Sequence, residues 1–210
     1  MADIAIFVDH ENIFYSCLNN EKCFPVYDAV KEACLKFGDR VAFGACYADW
    51  DKMSAGIRFV VAAGLTPRMC PDTKTSGSAN YQQRKSSLDN ILAAEMMETL
   101  MHNPNIEVFV LVSGDRDYIP FINLLRREGK RVVVIGEKHS VARDLRESAD
   151  SHIYLQDIKG ALNPTRRDDH SNRDDYDEPE EPELEETSTV DIPEAPATGG
   201  FAQAAEALDS

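Results

Sequence analysis

Four aspartates carry the chemistry this chain could do. Asp9 closes an apolar run at 4–8. Asp115 and Asp117 follow a second run, 108–112, across the turn Ser113-Gly114. Asp89 stands in the first turn of a helix that opens at Ser86. Each acid also has an ordinary structural use. Asp9 suits the cap of a helix beginning near Asn12, Asp117 suits the cap of its own helix with Asp115 as a turn residue, and Asp89 complements a helix dipole. Taken together they ask for something else. Two carboxylates ~5 Å apart repel by roughly 3 kcal/mol at an effective dielectric of ~20. A fold that gathers three or four of them therefore calls for a cation. Oxygen ligands without His or Cys favour Mg2+ or Mn2+. Such an ion activates water and stabilises in-line displacement at phosphorus.

The elements that must position these acids are legible from periodicity. The runs 4–8, 41–48, 65–70, 107–112, 131–135 and 153–155 read as strands, the first of them continuously apolar, as in a strand covered on both faces. Between them lie helical patterns. Ile13, Phe14, Cys17 and Leu18 recur at helical spacing; Val26, Ala29, Val30, Ala33, Cys34 and Phe37 share one face, closed by Gly38. Further helices cover 57–63, closed by Gly64, and 86–102, stopped by Asn103-Pro104. Another follows Asp117 and ends at Gly129, and the last is capped by Ser140 and runs to about Ala149. Strands alternating with helices imply βαβ units and a mostly parallel sheet. The expected fold is α/β, a three-layer Rossmann-like sandwich with strand order 3-2-1-4-5, in which Asp9 and Asp115 meet at the switch point. There is no GxGxxG after the first strand and no P-loop lysine motif.

Composition divides the chain. From Pro164 onward there are 15 Asp+Glu against 3 Arg, whereas the preceding residues carry 22 against 19. Most of the formal charge of −15 therefore belongs to the C-terminal stretch. We expect one folded domain over residues 1–160 and a disordered acidic tail over 161–210, too poor in large apolar residues to offset ordering entropy. The near-neutral folded part does not share the tail's bias against polyanions. The five cysteines form no CxxC pair and no cluster with histidine, as expected of small apolar side chains in a reducing cytoplasm. No apolar stretch reaches 18 residues, so no membrane span is expected.

Three spaced motifs then acquire a common meaning. Val8-Asp9-His10-Glu11-Asn12, residues 85–89 and Leu111-Val112-Ser113-Gly114-Asp115-Arg116-Asp117-Tyr118 resemble the signatures of the NYN-domain family in its LabA-like branch. The run 124–132 and the later Ser140, Leu145, Ala149 and Asp150 fit the same pattern, so the resemblance covers about residues 3–156 and leaves out the tail. It implies a PIN-like fold and a metal-dependent ribonuclease. It also implies that Asp9, Asp89, Asp115 and Asp117 are the catalytic, metal-binding acids, with Asn12 a polar partner at the rim. The family often has glycine after the first aspartate, where this chain has His10, read here as an exposed helix-entry residue. It often has a further aspartate six residues after the helix acid, where this chain has Glu95, an inward support or a peripheral acid.

Phosphate contacts need Lys or Arg. Lys74, Arg84 and Lys85 lie in the polar stretch 71–85 and Arg116 between two of the acids; Ser113 joins them as a substrate contact, and Ser140, with Lys138 and His139, sits at a helix N-terminus that favours anions. Tyr81 and Tyr118 are candidates for stacking on unpaired bases. Single-stranded RNA is the expected partner and substrate. Asp115, nearest the strand end, is the expected better ligand, with Asp117 dividing its role between the metal and its helix. Two alternatives stay open. A non-catalytic RNA-binding or regulatory protein could keep the same acids, and its acidic tail could dock on a basic partner. A phosphatase of small phosphoesters could use them too, although the chain lacks the DxDx[TV] that a HAD-type phosphatase wants after its first strand. The sequence leaves a homodimer open.

Overall fold

The computed structural model describes residues 2–71 and 87–164. Lys74, Tyr81, Arg84 and Lys85, and the tail beyond Pro164, lie outside the described residues. The chain order is β1 (Asp3–Asp9), α1 (His10–Glu21), β2 (Cys23–Pro25), α2 (Tyr27–Cys34), β3 (Arg40–Ala48), α3 (Ser54–Ala62) and β4 (Thr66–Met69). It continues with α4 (Ser87–His102), β5 (Ile106–Val112), a 3-10 turn (Arg116–Tyr118), α5 (Ile119–Arg127) and β6 (Arg131–Gly136). The last elements are α6 (Arg143–Ser148), β7 (Ser151–Tyr154), a second 3-10 turn (Leu155–Asp157) and β8 (Leu162–Pro164).

Six strands form one sheet in the order β4-β3-β1-β5-β6-β7, every pair parallel. This is the expected α/β class and the expected order, extended by one edge strand. The chain builds outward from β1 through β3 to β4, then returns to place β5 against the other side of β1. The order reverses there, and a crevice opens beyond the carboxyl ends of β1 and β5.

Strand alternation sorts the two cores. Ile4, Ile6 and Val8 of β1, with Val108, Val110 and Val112 of β5, face the side covered by α1, α2 and α3. Ala5 and Phe7, with Phe109 and Leu111, face the side covered by α4, α5 and α6. A period of two carries the pattern one step further, so Asp9 and Ser113 are aimed at the α4–α5 side. All seven residues of β1 are buried.

One pairing was not anticipated, and two local expectations are corrected. β2 pairs antiparallel with β8. Gly38 does not close α2, which ends at Cys34 with Leu35 as its cap. Instead, a Cβ at Gly38 would lie 2.6 Å from the Ala2 carbonyl oxygen and 2.7 Å from Ile4 Cγ1, so close backbone approach demands glycine there. Ser140 caps nothing. Its hydroxyl reaches back to the Glu137 carbonyl, and α6 begins at Arg143 behind Ala142, without a side-chain cap. By contrast, Gly64 and Gly129 end their helices at positive φ, 67° and 75°, as expected of terminal glycines.

Candidate metal centre and groove

Asp9 is both the last residue of β1 and the N-cap of α1. Its Oδ1 accepts the Asn12 backbone N–H at 3.0 Å. Its Oδ2 accepts the Ser113 hydroxyl at 3.2 Å and the Tyr118 hydroxyl at 3.3 Å. The side chain is 3% exposed. Among the described residues no Lys or Arg pairs with it. Burial, helped by the charge of Asp89, pushes its carboxyl up to about 7 against the lowering effect of the three donors. A buried carboxylate held by neutral donors, with another acid beside it, is a site that a cation would complete.

Asp89 reaches the same place from α4. The Tyr118 hydroxyl donates toward its Oδ1 at 3.1 Å, so one phenol stands between the two carboxylates. Burial and the flanking acids hold that phenol far above the ordinary tyrosine range, so it is a permanent donor. Asp115 completes the set. Asp9, Asp89 and Asp115 line one open groove of about 590 Å³. The donors are oxygens alone, which fits a hard divalent ion. Among the described residues, no three of these aspartates bring carboxylate oxygens within 4.8 Å of one another.

Asp117 is placed differently. It is exposed and lines a neighbouring depression of about 470 Å³ with Arg116 and Asp89. The capping roles are also the reverse of the expectation. Asp115 Oδ1 accepts the Asp117 backbone N–H at 2.9 Å, so Asp115 is the cap, and Tyr118, with no side-chain cap bond, precedes α5.

The turn that carries Asp115 is tied to α1. Gly114 N–H donates to Asn12 Oδ1 at 2.8 Å, and Asp115 N–H to the Ser113 hydroxyl at 3.2 Å. Asn12 and Ser113 thus support the acids. Ser113 is wholly buried beneath Asp9, whereas Ser140 lines the groove. Gly114 leaves little room for a side chain: a Cβ there would lie 3.1 Å from Val141 Cα and 3.3 Å from Asn12 Oδ1.

Three neighbours depart from the sequence reading. Tyr118 is 1% exposed, so no base can stack on it. His10 is buried rather than exposed: its Nδ1 lies 2.5 Å from the Tyr27 hydroxyl, its ring packs on Trp50, and burial pulls its pKa down to about 4. Glu95 accepts the Tyr47 hydroxyl at 2.7 Å and pairs with the Arg68 guanidinium, so its charge is already matched. Arg126, Lys130 and Arg131 also have local uses. Arg126 pairs with Asp150 at 2.9 Å, Lys130 donates to the Pro104 carbonyl, and Arg131 lies over Phe37.

The sequence reading missed Glu137, which follows β6 as Asp9 ends β1. A strand-ending acid was the available signal. Glu137 is fully buried, and its carboxylate accepts Asn20 Nδ2 (2.7 Å), His139 N–H (3.0 Å) and Gln156 Nε2 (2.6 Å). Among the described residues, Glu21, Glu137 and His139 are the three ligand-type groups with donor atoms within 4.8 Å of one another. Both oxygens of Glu137 are already engaged, and we assign it to tying α1 to β6. Burial works against its charge, but these donors outweigh it and hold its pKa below the ordinary glutamate range. Its stabilisation is therefore present above that range and lost as pH falls through the lowered pKa. Glu137→Gln turns donors toward donors and is expected to destabilise the fold by about 1–3 kcal/mol at neutral pH. The deficit should shrink on acidification; an unchanged melting temperature at pH 7 would contradict the role.

Comparison with known proteins identifies the family and the fold. The NYN domain family model matches residues 3–156. A curated relative, the low amplitude and bright protein LabA of Synechococcus elongatus, is 28% identical over 173 residues, covering 78% of this chain and 89% of that protein. An uncharacterized protein of Methanocaldococcus jannaschii is 26% identical over 152 residues, covering 72% of this chain and 55% of its own length. A crystal structure of a protein of unknown function from Vibrio parahaemolyticus superposes with a TM-score of 0.62 at 22% identity. It covers 75% of this chain and 94% of that one, a likeness of fold alone. The NYN family lies in the PIN-like nuclease superfamily, whose folds usually use divalent ions. Matched over nearly all of its described residues, the chain belongs to the NYN domain family, in its LabA-like branch.

Proposed function

We propose that this protein hydrolyses phosphodiester bonds of single-stranded RNA with Mg2+ or Mn2+ held by Asp9, Asp89 and Asp115. Asp117 and Arg116 stand at the adjoining depression. One observation carries the reading: a buried aspartate at the switch point, unmatched by any described cation, faces one groove with two further aspartates. Structural caps do not need that burial. The ion supplies Lewis-acid activation of water and charge neutralisation at phosphorus. The protein's share is orientation. Asn12 N–H, Ser113 and Tyr118 hold Asp9 in one rotamer, and the Gly114–Asn12 bond fixes the turn bearing Asp115. Lys74, Arg84 and Lys85, outside the described residues, are proposed phosphate contacts, and the cytoplasm is the proposed location. No helix among the described residues is long and apolar enough to cross a membrane.

The test is release of fragments from a labelled single-stranded RNA by the full-length protein in Mn2+ or Mg2+, run beside a small phosphoester. Fragments from RNA that vanish with EDTA are expected. Retention of RNA without fragments would replace this reading with the non-catalytic RNA-binding one, and turnover of the small ester alone would replace it with a phosphatase.

A further inference from the structure

The groove does not end at the acids. It continues along α1 past Asn12, Tyr15, Ser16, Asn19 and Asn20. These positions are separated by three, one, three and one residues, the spacing of a single helical stripe. At 1.5 Å per residue the stripe extends about 12 Å from Asn12. The stripe from Asn12 to Asn20 carries no charge, and Glu11, which also lines the groove from α1, has its carboxylate engaged by the Asp49 backbone N–H at 2.7 Å. Other helices expose charged groups instead: Asp28 and Glu32 on α2, Arg126 and Arg127 on α5, Arg143 and Glu147 on α6. The α1 stripe has amides, a hydroxyl and a phenol in their place.

The side chains of the stripe are also set in place. Tyr15 is 50% exposed, and Phe14, itself stacked on Phe24 at 5.5 Å, stands edge-on to its ring at 5.4 Å. Asn12 is held by Gly114 N–H at the acid end, and Asn20 by Glu137 at the far end. The α1 track is therefore pinned at both ends, with an aromatic face presented between them.

We propose that this track seats the nucleotides adjoining the cleaved phosphate, with an unpaired base stacked on Tyr15 and Ser16 and Asn19 hydrogen-bonding base edges and 2′-hydroxyls. The chemistry selects this partner. Amides and a hydroxyl supply both donors and acceptors, and a tyrosine supplies a π-face for any base. An uncharged stripe neither attracts nor repels phosphate strongly, so it serves bases and sugars while charge is met elsewhere. A duplex would keep its bases stacked on one another and out of reach of Tyr15. The inference rests on the reading of the acid site as an RNA site and adds the binding path and its specificity residues.

The experiment is fluorescence-anisotropy titration of a short labelled single-stranded RNA, and the same sequence as DNA, with full-length protein in Ca2+ buffer. Tyr15→Ala, Tyr15→Phe and Asn19→Ala are compared with wild type. All three variants alter half-exposed or exposed positions, and melting curves report any loss of fold. Tyr15→Ala is expected to weaken RNA binding about 10-fold, the scale of one lost base stack. Tyr15→Phe should bind within about twofold of wild type, because the ring is kept. Asn19→Ala should weaken RNA more than DNA. Equal affinity of Tyr15→Ala and wild type overturns the track and leaves RNA cleavage standing. Loss in Tyr15→Ala without cleavage by wild type keeps the track and removes the nuclease. A wild type that does not bind RNA removes both. Equal losses on RNA and DNA overturn the 2′-hydroxyl contacts.

Discussion

Asp9→Asn is expected to abolish RNA cleavage while making the metal-free protein more stable at pH 8. Activity should fall by about 10³-fold or more, the scale on which groups that act on transition-state charge are worth. The fold should survive, because asparagine is as good an N-cap as aspartate and can still accept the Asn12 N–H. The stability gain follows from linkage. The fold raises the Asp9 carboxyl from its ordinary 3.8 to about 7. Below about pH 4 both folded and unfolded chains are protonated there, and the residue carries no penalty. As pH climbs toward 7 the unfolded chain ionises first and stability falls. Above about pH 7 the full penalty is present, about 4 kcal/mol. The Asp9→Asn variant, with no charge to bury, escapes it, so the two melting temperatures should converge near pH 4 and separate at pH 8. Mn2+ should raise the melting temperature of wild type and leave the variant's unchanged. A variant that still cuts RNA, or a wild type indifferent to Mn2+, would sink the assignment of Asp9.

The second large effect is expected at Tyr118. Tyr118→Phe deletes one hydroxyl and keeps the ring among Phe7, Leu88 and Leu92 in the α4–α5 core. That hydroxyl is shared by Asp9 and Asp89, at 3.3 and 3.1 Å. Without it the carboxylates lose a common donor and their fixed orientation. Groups that orient metal ligands are worth about 10–100-fold in affinity or activity. We expect a loss of that size in Mn2+ affinity, read by titration, and in kcat/KM on RNA. Global stability should change by no more than about 1–3 kcal/mol, the scale of one hydrogen bond to a charged group. Wild-type Mn2+ affinity in Tyr118→Phe would reduce the hydroxyl to a bystander.

Much of this was legible in the amino-acid order. Apolar runs with period-two burial, ended by turns and separated by helical patterns, specify a parallel sheet, since each strand must be covered on both faces. Once β1 and β5 are neighbours, the alternation that buries Ile6 and Val8 on one side and Phe7 on the other aims Asp9 and Ser113 at a common side. The acids at the switch point are thus a consequence of pattern. The near-neutral balance of the preceding residues and the acidic stretch after Pro164 are likewise properties of composition.

What tertiary structure decided is where side chains near an element's end turn. Tyr118 looked like a platform for bases, but it closes a three-residue 3-10 turn, and that tighter winding directs it back beneath the acids. His10 looked exposed because it opens a helix; the packing of Trp50 and Tyr27 over it made it core. Glu95 sits on the same helix as Asp89, but its distance along α4 brings it to Arg68 rather than to Asp9. Cap assignments followed the same logic. Asp115 and Asp117 are equally good capping residues in sequence, and only the backbone of the turn gives the bond to Asp115 and leaves Asp117 outside the groove. Spacing fixes which face of an element a residue occupies; the angle at which elements cross fixes what that face meets.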